Sequence, residues 1–117
     1  MAADNEYILR WQSDAYRVLG DFLAAAKKQN LPAMSWTIAV SGALVGHVDS
    51  LNSTPAEMRA AFEAWAGWLG AIGVSDRMSR DGVTHLYAQF RRGEGAAEVR
   101  GAIRAEIYPP MSDEGGA

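Results

Sequence analysis

Between Asp81 and Tyr108 the side chains alternate with a period of two, and no other stretch limits the fold as tightly. From Val83 to Arg92, Thr84, Leu86, Ala88 and Phe90 take one side, while His85, Tyr87, Gln89 and Arg91 take the other. After Gly93-Glu94-Gly95-Ala96 the alternation resumes. Val99, Gly101, Ile103, Ala105 and Ile107 fall together, opposite Glu98, Arg100, Ala102, Arg104 and Glu106. Two alternating arms split by a Gly-rich link predict a long β-hairpin. A four-residue closing loop places Phe90 opposite Val99, Leu86 opposite Ile103 and His85 opposite Arg104, with Gly101 facing Ala88. Both apolar sets then share one face, and a one-residue slip would scatter them.

The rest of the chain supplies a cover for that face. Asp4 to Asn30 reads as one amphipathic helix, with Ile8, Trp11, Ala15, Leu19, Phe22 and Ala26 at steps of three and four and Val18 and Leu23 beside them. Asp4 or Asn5 is positioned to cap its start. Asn30 followed by Pro32 marks its stop. Met34 to Ser50 reads as a shorter hairpin around Ser41-Gly42. A two-residue turn aligns Trp36, Ile38 and Val40 with Ala43, Val45 and His47; a three-residue turn aligns them with Leu44, Gly46 and Val48, the more apolar and preferred set. Thr54-Pro55-Ala56-Glu57 is a capping box with Pro in the first helical position. It starts a second helix whose stripe is Met58, Phe62, Trp65, Leu69 and Ile72, flanked by Ala61 and Trp68, with Gly70 and Gly73 ending it. Val74 to Arg80 reads as loop or as a short extra strand joined through Asp81-Gly82.

The order α-β-β-α-β-β predicts an α+β two-layer sandwich, two amphipathic helices on one face of a four-stranded, mainly antiparallel sheet. A chain of 117 residues has room for one modest core, so residues 1–110 read as a single domain and 111–117 as a frayed tail. Apolar content of 49% with 21% charged residues is that of a folded chain. The absence of cysteine excludes disulfides, thiolate metal sites and thiol nucleophiles. No basic leader precedes an apolar core, and no apolar run approaches the roughly 20 residues of a membrane span, so a cytoplasmic protein is expected. Abundant Ala and Arg with only Lys27 and Lys28 fit GC-rich coding DNA of bacterial or phage origin.

No catalytic motif stands out, and neither a cofactor nor a metal is expected. Ser41-Gly42 lacks the nucleophile-elbow frame, and Gly93-Glu94-Gly95 lacks the spacing of a phosphate loop. His47-x-Asp49 would need His85 and a further carboxylate (Asp76, Asp81 or Glu106) to make an acid–base or metal site. A strand-end His and Asp entering a loop is the simpler account. Of the four tryptophans, Trp11, Trp36 and Trp65 fall on core faces, and Trp68 sits off its stripe as a candidate interface residue. Ser75 to Asp81, polar and mixed in charge, reads as a mobile or partner-contacting loop.

The outer face of the long hairpin is the unusual surface. His85, Tyr87, Gln89 and Arg91 lie beside Arg100, Arg104 and Glu106, with Arg92 at the loop. A solvated antiparallel face with pairs such as Arg91–Glu98 would explain it. As a functional surface it points first to a non-enzymatic protein-interaction module contacting a protein partner or itself as a homodimer, through Trp68, His85, Tyr87, Gln89, Arg91, Arg100 and Arg104. The alternative is a nucleic-acid-binding accessory protein using His85, Tyr87, Arg91, Arg100 and Arg104, in which Tyr87 stacks and the arginines meet phosphates. The net charge of −3 and the single aromatic place that second.

Overall fold

The computed structural model describes residues 2–51 and 53–109. Helix α1 (Ala2–Gln29) leads to strands β1 (Met34–Ile38) and β2 (Leu44–Val48). Helix α2 (Pro55–Leu69), strands β3 (Ile72–Met78) and β4 (Thr84–Arg92), a 3₁₀ turn at Gly95–Ala97 and strand β5 (Val99–Ile107) follow. The five strands form one sheet in the order β1-β2-β5-β4-β3. Neighbours are antiparallel except β2 and β5, which run parallel at its centre. The two-layer α+β arrangement is therefore present and the sheet is mainly antiparallel, but it has a fifth strand and one parallel pair beyond the expected four-stranded order. The expected tail at 111–117 lies outside the described residues.

Both corrections have a physical cause. Strand β3 lies at an edge, so neither side of it is buried enough to impose an alternating pattern. Its seven residues are exposed except for half-buried Ser75. The parallel pair joins strands far apart in the chain, and such a register leaves no local trace.

Helix ends follow their cues more closely. At α2 the Thr54 amide donates to Glu57 Oε1 at 2.8 Å and the Glu57 amide donates back to Thr54 Oγ1 at 3.1 Å. Gly70 closes that helix in the left-handed region at φ 64°, and the Ala71 amide reaches back to the Ala66 carbonyl at 3.0 Å. Helix α1 ends the same way: Asn30 has φ 57° and the Leu31 amide bonds to Ala26. Its start lies at Ala2, ahead of both expected caps, because Ala2 and Ala3 extend the helix readily. Ile72, assigned by periodicity to the α2 stripe, instead opens β3 after Gly70 has ended the helix.

The core lies between the helices and the inner face of the sheet. Ala15 and Phe22 from α1 and Met58, Ala61, Phe62, Trp65 and Leu69 from α2 pack on Leu86, Ala88, Phe90, Val99, Ile103 and Ala105. Phe22 is the hub of an aromatic cluster. Its ring centroid lies 5.5 Å from Trp36, 5.5 Å from Trp68, 5.4 Å from Phe90 and 6.2 Å from Trp65. Two of these rings lie over glycines of the neighbouring strand: Trp36 is paired with Gly46, and Phe90 with Gly101. A side chain at either glycine would occupy the space of the ring.

That pairing corrects the register of the long hairpin. Phe90 opposes Gly101, Leu86 opposes Ala105 and His85 opposes Glu106, two residues on from the expected partners. The shift is even, so both faces keep their residues, and the loop grows to Gly93–Glu98, folded by its 3₁₀ turn. In the first hairpin Ile38 opposes Leu44 and Trp36 opposes Gly46, the face set of the three-residue alternative. Val40 falls outside the strand and is exposed.

Trp11 leaves the core face expected of it and is 44% exposed. Its Cβ lies against the Gly42 turn, where φ is +83° and an added Cβ would sit 2.5 Å away, so its ring is held beside the turn and stacks on Tyr7. Arg92 is also displaced from its expected place beside the outer face. It turns to the helix side, donates to the Leu69 carbonyl at 3.1 Å and lies 5.7 Å from the Phe22 and Trp68 ring centres. A guanidinium there satisfies an end carbonyl of α2 and complements the negative end of its dipole.

Gly101 is the position least able to change. An added Cβ would stand 2.1 Å from the Leu44 carbonyl oxygen and 2.4 Å from Phe90 Cζ, and backbone cannot give way as a side chain can. Gly101→Ala is expected to destabilise the protein by about 2–3 kcal/mol, the upper range of overpacking costs, in urea unfolding. Phe90→Leu in the same background should recover part of that loss by freeing one of the two contacts. A neutral Gly101→Ala would show that the register is set elsewhere.

Candidate functional site

The helices cover one face of the sheet and leave the other open. Its residues form rows, because directly opposed residues of neighbouring strands share a face. One row runs Thr37, Val45, Ala102, Gln89, Ile72, the next Ser35, His47, Arg104, Tyr87, Ser75. Beyond the second row lie Glu106, His85 and Arg77; beyond the first, Arg100 opposes Arg91. The centre of the face is thus small and apolar, with cations on both sides of it.

Six of the seven residues singled out in the sequence meet on this face. Tyr87, Gln89, Arg91 and Arg100 line a depression of about 350 Å³ together with Ala43, Val45, Ile72 and Ala102. Arg104 and His85 occupy the adjoining rows. Tyr87 is 39% exposed, and its hydroxyl accepts from Gln89 Nε2 at 3.3 Å. Trp68 does not join them. It is half-buried on the helix side, edge-on to Phe22 and Trp65, where its indole completes the core.

Pattern reading missed Ile72, which it gave to α2, and left Arg77 between a loop and a short extra strand; both stand on the edge strand β3. It also left His47 and Val45 unconnected to the hairpin, because the parallel pairing of β2 with β5 brings them there. A hint was available in β2, where Val45 and His47 alternate with the apolar set chosen for the core.

Charge on the face is unevenly paired. Glu98 lies 3.2 Å from Arg100 and 3.8 Å from Arg91, so one carboxylate serves two guanidiniums. Arg104 Nε approaches Glu106 at 3.3 Å. Arg77, Arg91, Arg100 and Arg104 against Glu98 and Glu106 leave a surplus of two positive charges, on a chain whose net charge is −3.

His47 Nε2 is hydrogen-bonded to Glu106 Oε1 at 2.6 Å, in a shallow recess that Ser35, Asp49 and Tyr108 also line. Glu106 was one of three carboxylates nominated to join His47. Asp49 instead accepts from the Leu51 amide at 2.9 Å and shapes the loop, and His85 lies across β5 from His47, on β4. The acid–base constellation of His47, Asp49 and His85 is not assembled. Among the described residues no cluster of three or more His, Asp or Glu is placed to hold a metal, and no helix is long and apolar enough to cross a membrane. No known protein family matches the chain, and no curated protein or solved structure is similar to it.

Partial burial at the sheet pushes the Glu106 carboxyl up, but the hydrogen bond and charge of His47, with Arg104 behind, outweigh it. The carboxyl is held below its ordinary value of 4.5. A depressed carboxylate stabilises the fold above its unfolded pKa, and that contribution is lost as pH falls through the lower folded value. Carbon-detected NMR titration should therefore place the Glu106 midpoint under 4.5. His47→Gln should move it upward, since the charge is removed while the burial stays. An unmoved midpoint would show that His47 does not hold the carboxylate.

Proposed function

We propose that this protein is a small, non-enzymatic interaction module whose open sheet face binds an acidic surface or segment of a protein partner. The observation that carries this reading is the composition of that face. A largely apolar strip of Val45, Ala102 and Ile72, with Gln89 between the last two, lies between arginine-bearing rows, with Tyr87 beside it. A strip of this kind suits apolar side chains. The flanking guanidiniums suit carboxylates, which they can grip with two parallel hydrogen bonds. Stacking two copies by this face would oppose arginine to arginine, so the partner for this surface is a different chain.

A second reading, binding of single-stranded nucleic acid, is supported by the same cationic surplus. It is weaker because Tyr87 is the one aromatic beside the central strip among the described residues, Tyr108 lying apart at the His47–Glu106 recess, and stacking platforms use several in a row. Glu98 and Glu106 also lie among the arginines, where phosphates would approach.

Titration of ¹⁵N-labelled protein with an acidic, leucine-containing peptide and, separately, with an oligothymidylate separates the two. The expected result is peptide binding with shift changes confined to Tyr87, Gln89, Ala102 and their neighbours. Arg100→Ala with Arg104→Ala should weaken it about tenfold, or roughly 1.4 kcal/mol for two solvent-exposed ion pairs. Oligothymidylate binding at the same residues, with steep loss on added salt, would favour the second reading. Shifts elsewhere, or none with either ligand, would overturn both.

A further inference from the structure

The chain holds two histidines, and the fold sets them on either side of Glu106. That residue stands on β5, the central strand of the sheet. On the β2 side, His47 Nε2 is hydrogen-bonded to its Oε1 at 2.6 Å. On the β4 side, His85 is its directly opposed partner in the antiparallel ladder, a placement that sets Cβ atoms about 4.5–5.5 Å apart. Arg104 Nε takes Oε2 at 3.3 Å. Both rings reach solvent: 44% of the His47 side chain is accessible, and His85 is exposed.

The charged neighbours of each ring come from the sheet and its turns. His47 is opposed by uncharged Ser35 on β1 and by Arg104 on β5. Asp49 and Tyr108 share its recess, where the Asp49 carboxylate accepts from the Leu51 amide. His85 is opposed by Arg77 on β3. Asp81, in the turn ahead of it, accepts from the Ser79 hydroxyl and lies within range of the His85 charge. Both helices pack on the other face of the sheet.

This arrangement couples protons to the charge of the open face. Glu106 is an acceptor, so His47 Nε2 carries hydrogen and a second proton enters at Nδ1. With a neutral imidazole, the group of His47, Glu106 and Arg104 has no net charge. A proton on His47 makes it positive and lets Arg104 turn to a carboxylate other than Glu106. A proton on His85 adds another charge, so the surplus over the face rises from two positive charges to four. Histidine is the side chain that changes charge between pH 5 and 8. Partial burial raises the Glu106 carboxyl, but His47 and Arg104 hold it below 4.5, so it stays ionised across that range.

Resting on the reading of the open face as a carboxylate-binding surface, we infer that this face is gated by protons. His47 and His85, once charged, bind the carboxylates of an acidic segment, which is held more tightly as pH falls from about 8 to about 5.5. Position favours this use. His47 and Arg104 stand one row from Val45 and Ala102, so a segment seated on the apolar strip runs beside them.

The test is calorimetry on the full-length chain with an acidic, leucine-containing peptide. Its acids are aspartates and its termini are blocked, so its own charge is constant over the range used. Binding should be about fivefold tighter at the lower pH, the effect expected of two exposed ion pairs. Near neutral pH the measured heat should depend on the ionisation enthalpy of the buffer, which reports protons taken up on binding. His47→Gln keeps an N–H for Glu106 and cannot titrate; it should reduce the pH effect to about twofold. His47→Gln with His85→Gln should remove both the pH effect and the proton uptake. Equal affinity at the two pH values without proton uptake, or a pH effect that persists in the double variant, would overturn the inference. Peptide binding that ignores pH would leave the open-face reading standing, whereas no binding at either pH would remove both.

Discussion

Two aromatic rings lying over two glycines hold this fold in register. Phe90 needs the space over Gly101, and Trp36 needs the space over Gly46, because a Cβ at either glycine would meet the ring at under 3 Å. The glycines sit on two adjacent interior strands, Gly46 on β2 and Gly101 on the central β5. Seating the rings there fixes the pairing of both hairpins at once. It also brings Trp36 and Phe90 against Phe22 of α1, and Trp36 against Trp65 of α2, at centroid distances of 5.3–5.5 Å. Such tilted and edge-on contacts add roughly 0.5–1.5 kcal/mol each beyond the area they bury. One cluster thus ties both helices to both halves of the sheet.

Concentrating the large apolar groups on one face decides what remains on the other. The long hairpin gives Leu86, Phe90 and Ile103 to the core, and its alternate residues, Tyr87, Arg91, Arg100 and Arg104, have no helix to meet. Arg92 shows how narrowly this is drawn. It follows Arg91 by one residue, and the pleat sends it to the opposite face, where it caps α2 and lies over the aromatic cluster. Neighbouring arginines therefore have different work, one in holding the fold and one on the open surface.

Legibility in the sequence followed the range of the interaction. The faces of β4 and β5 were readable because alternation is local, and the α2 cap because Thr54 and Glu57 are three residues apart. The hairpin register lies two residues from the one the loop glycines suggest, since a loop bounded by Gly93 and Gly95 gives no sign of the Phe90–Gly101 contact. Strand β3 left a weak trace because an exposed edge needs no apolar alternation. The β2–β5 pairing left none, and with it went the position of His47 beside Glu106. Trp68 misled for another reason: its place off the helix stripe looked like exposure, but Arg92 and Phe22 close over it.

The central claim is that one face of the sheet is covered and the other is open. A soluble paramagnetic agent, titrated into isotopically labelled protein, reads this directly from side-chain relaxation. The Tyr87 ring and the Val45 and Ile72 methyls should relax strongly, while the Phe90 ring and the Ile103 and Leu86 methyls should be almost unaffected. Equal protection of the two sets would mean that the face is already covered, and equal relaxation would mean that the helices do not hold the core as described.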